Sequence, residues 1–157
     1  MEIWQNPILV LFLLSIPEMI AFSLFVMAMT KTLKSWKNAI WMGIVLGTAI
    51  YLIRMLPDLF FGIHTLMLVS LAVVLYRLVL DTDLAKIIVA ACTGMLLLVF
   101  VEYLFFWLAI NFTGLTLEEL ISGSLWWIVL CWPHIIIMLG IAYFFHKKQV
   151  AAKGSEI

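Results

Sequence analysis

The sequence predicts an all-α integral membrane protein, a single domain over residues 1–157 built as a bundle of five transmembrane helices, N-terminus out and C-terminus in. Three observations lead there. Apolar residues make up 66% of the 157 positions and charged ones only 11%, where soluble domains run near half apolar and a quarter charged. The apolar residues form five runs, about 8–29, 39–57, 59–80, 85–110 and 125–145, each close to the ~20 residues that a span requires. Finally, Lys31, Lys34, Lys37, Arg77, Lys86, Lys147, Lys148 and Lys153 fall on one side of these runs and only Arg54 on the other. Such a bias marks the cytoplasmic face. The expected location is therefore the plasma membrane, crossed several times, with the lipid bilayer as the first partner. The formal net charge of zero offers no electrostatic case for nucleic acid.

The first run lacks a basic leader and a small-residue cleavage site, so it is expected to be retained as a helix. Pro17 interrupts it, and Glu18 follows directly. A proline inside a membrane helix frees a carbonyl that nearby polar groups can satisfy, which predicts a kink served by Glu18. The stretch Lys31 to Asn38 ends the run on the inner side. In the second run Gly43, Gly47, Ile50 and Arg54 share one helical face, and Gly43 to Gly47 is a GxxxG spacing of the kind that lets two helices approach closely. Pro57 and Asp58 read as an outer turn. Gly62 and His64 open the third run, and Arg77, Asp81, Asp83 and Lys86 bound the inner turn after it.

The fourth run repeats the small-residue face with Ala91, Gly94, Leu98 and Glu102. Between runs four and five, Thr116 with Glu119 is a capping-box pattern that predicts a short amphipathic segment. Pro133 and His134 repeat the proline-plus-polar arrangement in the fifth run, and the tail from His146 onward is expected to fray. Trp4, Trp36, Trp41, Trp107, Trp126 and Trp127 sit near run ends, as interfacial aromatic belts require. Cys92 and Cys131 lie at different depths and read as packing residues, with neither a disulfide framework nor a CxxC pair. There is no internal repeat, which weakens an inverted-repeat carrier reading.

Glu18, Arg54, His64, Glu102 and His134 are the ionisable groups inside the runs, and charges at such depth face a partner or a cavity. Counting about 1.5 Å per residue, Arg54, His64 and Glu102 share a level in the outer third, and Glu18 and His134 lie near mid-membrane. This predicts two polar tiers, the upper one holding a buried Arg54–Glu102 ion pair that either fixes helix register or lines a pocket. For Glu18 and His134, kink geometry stands beside a proton relay, a ligand contact or a pH-sensitive switch. These residue types suit zinc or iron, yet each comes from a different helix without HxxxH or ExxH spacing, so no metal and no cofactor are expected. Ser15, Ser23, Ser70 and Thr93 have no motif around them that would make a nucleophile. No enzyme is expected.

Ser15-Ile16-Pro17-Glu18, Arg54-Met55-Leu56-Pro57, Phe61-Gly62-Ile63-His64-Thr65, Val101-Glu102 and Pro133-His134 together resemble the membrane portion found with Spo0B-type or GHKL-type sensor histidine kinases of clostridia and related Firmicutes. The resemblance spans about residues 5 to 148. It implies a five-helix signal-input module that acts alone or beside a separately encoded kinase core. Beyond Lys148 the sequence carries no dimerisation helix, phosphoacceptor histidine box or ATP-binding domain. The functional expectation is thus a non-catalytic sensor or partner-binding subunit with an outward-facing polar pocket, its partner a sensor kinase or another membrane protein. A small substrate-binding subunit of a transporter is the alternative, and a homo-oligomer stays open.

Overall fold

Proline at position 7 starts the first helix where its missing N–H costs nothing. The computed structural model describes residues 7–33, 35–54, 61–114, 116 and 125–154. Five helices account for nearly all of them. Helix α1 runs as Pro7–Val10, a π-helical turn Leu11–Ser15, and Ile16–Met29; α2 is Trp36–Arg54, α3 Phe61–Val79, α4 Leu84–Thr113 and α5 Leu125–Gly154. Among the described residues four stretches are long and apolar enough to cross a membrane: Ile8–Met29, Trp36–Ile53, Leu84–Thr113 and Ile128–Ala151. The described apolar stretch of α3, Thr65–Val79, is shorter. The expected Pro57–Asp58 turn, the Glu118–Glu119 segment and the side chains of Arg54 and His64 lie outside the described residues.

Helix α1 is the hub. From Ala21 to Ala28 every side chain is buried, and α2, α4 and α5 all pack against it. A helix that is apolar all round belongs in the interior, and α1 is such a helix apart from Glu18 and its serines. Helices α2, α3, α4 and α5 pack neighbour to neighbour in chain order along its flanks. Their outward sides are themselves apolar: Trp41, Leu66, Leu78, Leu96, Phe100, Tyr103 and Ile136 are exposed. Soluble monomers rarely show so much contiguous apolar surface, whereas lipid tails accept it.

Both small-residue faces exist as expected, and both turn toward α1. A methyl group at Gly43 would run into the backbone of Ile20, and one at Gly47 would come within 2.8 Å of the Ile16 Cα and the Ser15 carbonyl oxygen. The two helices therefore touch backbone to backbone, antiparallel, as GxxxG spacing allows. On α4 a Cβ at Gly94 would sit 3.0 Å from the rings of Phe22 and Phe25, so this glycine is a socket for two α1 aromatics.

The lysine-bearing end of α1 closes with a Schellman arrangement. Lys31 adopts φ 59°, and its N–H bonds the Ala28 carbonyl while the Thr32 N–H bonds that of Met27. The Thr30 hydroxyl caps the Val26 carbonyl at 2.8 Å. The tail corrects the sequence expectation here. Instead of fraying after His146, α5 continues to Gly154. Gln149 donates its side-chain N–H to the Ala28 carbonyl, and the His146 ring stands edge-on to Trp36 with centroids 6.0 Å apart. Gln, Lys and Ala are good helix formers, and those two contacts fix the extra turns against the α1–α2 corner.

Candidate functional site

The site begins with the proline in α1. The Ile16 N–H reaches the Leu11 carbonyl, five residues back rather than four. Proline has no N–H, and its ring collides with the carbonyl four residues earlier. A widened turn before Pro17 relieves that collision, and such π turns recur at functional sites. The kink predicted at Pro17 is thus a local widening. In α5, by contrast, Pro133 lies inside a continuous helix.

Beyond the widened turn, α1 and α5 run parallel. Val10 meets Ile128 at one end, Glu18 meets His134 in the middle, and Ala28 meets Gln149 at the lysine-bearing end. The Glu18 Oε1 and His134 Nε2 atoms lie 4.0 Å apart, with Glu18 4% and His134 2% exposed. The two proline-plus-polar motifs, placed at one depth from the sequence alone, face each other across this seam.

One turn farther from the lysine-bearing end, α4 adds Glu102. The Cys131 thiol of α5 donates to Glu102 Oε1 at 3.5 Å, a long sulfur hydrogen bond. Cys131 is buried, and Glu102 is half-buried. Because Cys131 and His134 are three residues apart on one helix, they lie on the same face. Glu102, Cys131, His134 and Glu18 therefore form a line of titratable side chains drawn from α4, α5 and α1. Arg54 and His64, the other expected members, lie outside the described side chains, and with them the expected Arg54–Glu102 pair. Among the described residues α2 packs on α1 and α3, and α4 on α1, α3 and α5.

Two features escaped sequence reasoning. Cys131 packs in the core as expected and in addition bonds Glu102; the signal for that bond was the i, i+3 spacing to His134. Tyr76 of α3 is fully buried and donates its phenol to the Ser23 hydroxyl of α1 at 2.8 Å, a polar link between the Glu18 level and the lysine-bearing end. A tyrosine in a hydrophobic run carries no mark that separates it from an interfacial one. Elsewhere the hydroxyls serve their own backbone, as Thr48 does to Ile44. Ser15 differs: its hydroxyl is fully buried with no hydrogen-bond partner among the described residues.

Among the described residues no group of three His, Cys, Asp or Glu side chains comes close enough to hold a metal ion. Two shallow clefts lie at the lysine-bearing end, one around Arg77, Asp81, Asp83 and Lys86, the other around Met29, Lys86 and Val89. Lys86 and Asp83 bridge at 2.6 Å across the first of these, and that bond with its accompanying charge holds the Asp83 carboxyl below the usual carboxylate range. No protein-family model, no curated protein and no solved structure matches this chain.

Proposed function

We propose that the chain is a five-span membrane protein of the plasma membrane, N-terminus out, that works as a non-catalytic signal-input subunit for a cytoplasmic or membrane partner. The observation that carries this reading is the parallel α1–α5 seam. A buried Glu18–His134 contact sits in its middle, and paired contacts lie at its lysine-bearing end. A change of charge at the contact alters how α1 and α5 fit together. Both helices are continuous from there to the end that bears Lys31, Lys147 and Lys148, so the change is carried along rigid rods.

The parallel seam also supports the span count. Three helices connect the end of α1 to the start of α5, and since α2 and α4 are both long and apolar enough to cross, α5 regains the direction of α1 only if α3 crosses as well. A full crossing by α3, despite its shorter apolar stretch, is part of this proposal. Lys31, Lys37, Arg77, Lys86, Lys147 and Lys148 then gather at one end, the cytoplasmic one. The partner class comes from the resemblance to sensor-kinase membrane modules, and the exposed Lys147 and Lys148 are the side chains best placed to meet it.

Photo-crosslinking from positions 147 and 148 in native membranes tests this. The expected result is one dominant partner whose crosslinking yield changes in Glu18→Gln and His134→Gln. A chain that crosslinks to nothing, or a yield indifferent to both substitutions, defeats the signal-input reading.

A further inference from the structure

We infer that the widened turn of α1 and Glu18 form a binding site for a monovalent cation, H+ or Na+. The inference rests on reading the α1–α5 seam as the input site, and it names what that site takes up. Three kinds of oxygen lie within two successive turns of α1. The first is a backbone carbonyl. The N–H of residue 17 would serve Leu13 in an α register or Phe12 in a π register, but residue 17 is proline. A carbonyl without a donor is costly inside a membrane, and broken membrane helices use freed carbonyls of this type to hold Na+ or H+.

The second oxygen is the Ser15 hydroxyl, 0% exposed and without a hydrogen-bond partner among the described residues. Thr30 and Thr48 show the ordinary alternative, bonding carbonyls one turn back at 2.8 Å. The third is the Glu18 carboxylate, one turn from Ser15 and on a neighbouring part of the same face. It supplies the negative charge that a cation would neutralise. Carbonyl, hydroxyl and carboxylate are hard donors, suited to such ions and unlike the imidazole and thiolate sets of transition metals.

The titratable groups facing Glu18 are His134 from α5 and, through Cys131, Glu102 from α4. Helix α2 presents Gly43 and Gly47 to α1 at this level, and α3 presents Tyr76 nearer the lysine-bearing end. Loading or emptying the site changes the charge that Glu18 shows to His134. The ion thereby acts on the α1–α5 seam itself.

The experiment uses the full chain in lipid nanodiscs, with two readouts. Thermal stability is measured in Na+ against K+ and choline at matched ionic strength. The carboxylic C=O stretch is followed by infrared difference spectroscopy across pH. If the ion is Na+, Tm rises by about 5–11 °C at a sodium concentration near 100 times Kd, with no such rise in K+. If it is H+, Tm is blind to the cation and a protonated-carboxyl band titrates that is missing in Glu18→Gln. In both cases Ser15→Ala, a change small enough to fold, weakens the response, and Thr48→Ala leaves it intact. Absence of both responses, or a response untouched by Ser15→Ala, overturns the site. Neither readout needs a partner, so the site can fail while crosslinking from positions 147 and 148 still succeeds, and the reverse.

Discussion

Gly43 and Gly140 carry opposite obligations. The first abuts the backbone of Ile20, whereas a Cβ at Gly140 meets nothing within 4 Å. Gly43→Ala should therefore overpack the α1–α2 crossing and cost about 1–3 kcal/mol, and Gly140→Ala should be neutral or mildly stabilising, both read as Tm in nanodiscs. Tyr76→Phe removes the phenol from Ser23 and should cost about 0.6–1.7 kcal/mol. A double-mutant cycle with Ser23→Ala should recover that value as the coupling. Additive losses would mean that the hydroxyls do not interact. Of these residues Gly43 was legible, because a GxxxG spacing in an apolar run has one common physical use. Its partner was not: a small-residue face tells that a helix approaches, and nothing in its spacing says which one. Tyr76 and Cys131 were illegible for a different reason. Each matters through a side chain on another helix, which the local sequence does not name.

Two elements invite separate tests. At the α3–α4 turn, Lys86 holds the Asp83 carboxyl below its ordinary range, with Arg77 adding to the effect. A depressed folded-state value contributes stability that is present above the unfolded value and lost as pH falls through the folded one. Both side chains are well exposed, so the stability effect is slight and the titration itself is the readout. By NMR the Asp83 carboxyl should titrate below an ordinary aspartate, and Lys86→Ala should bring its midpoint back up. In the α1–α5 seam the stakes are larger. When the His134 imidazole is protonated the contact is an ion pair, and removing one partner of such a buried pair costs about 3–5 kcal/mol, while replacing both by apolar residues of similar volume is often neutral or stabilising. Glu18→Gln and His134→Ala should each lower Tm, and Glu18→Met combined with His134→Leu should restore it. That Glu18 and His134 share a depth followed from helical rise alone. That they touch required knowing that α1 and α5 are neighbours, which no local pattern states. The π turn before Pro17 and the last nine residues of α5 were likewise hidden. Proline announces a disturbance and not its form, and a polar helix end held by one tryptophan edge and one carbonyl resembles a loose tail in sequence.

Taken whole, the molecule is a buried helix with four others laid along it, apolar inside and outside, and polar mainly in a line across three helices. Composition and lysine placement were enough for the all-helical class, and they failed to name the hub because every run is nearly as apolar as the next. The position of α1 gives the architecture its consequence. Under the proposed reading, a change in the charge of Glu18 acts on the helix that packs against α2, α4 and α5 at once, and the Trp36–His146 and Gln149–Ala28 contacts carry it to the lysine-bearing end. The direct measurement is a spin-label distance between exposed positions 37 and 150 in nanodiscs, after Cys92→Ala to remove the exposed native thiol. The account predicts that Glu18→Gln shifts the distance distribution relative to the native glutamate and that Thr48→Ala does not. Superimposable distributions for the native chain and Glu18→Gln would contradict it.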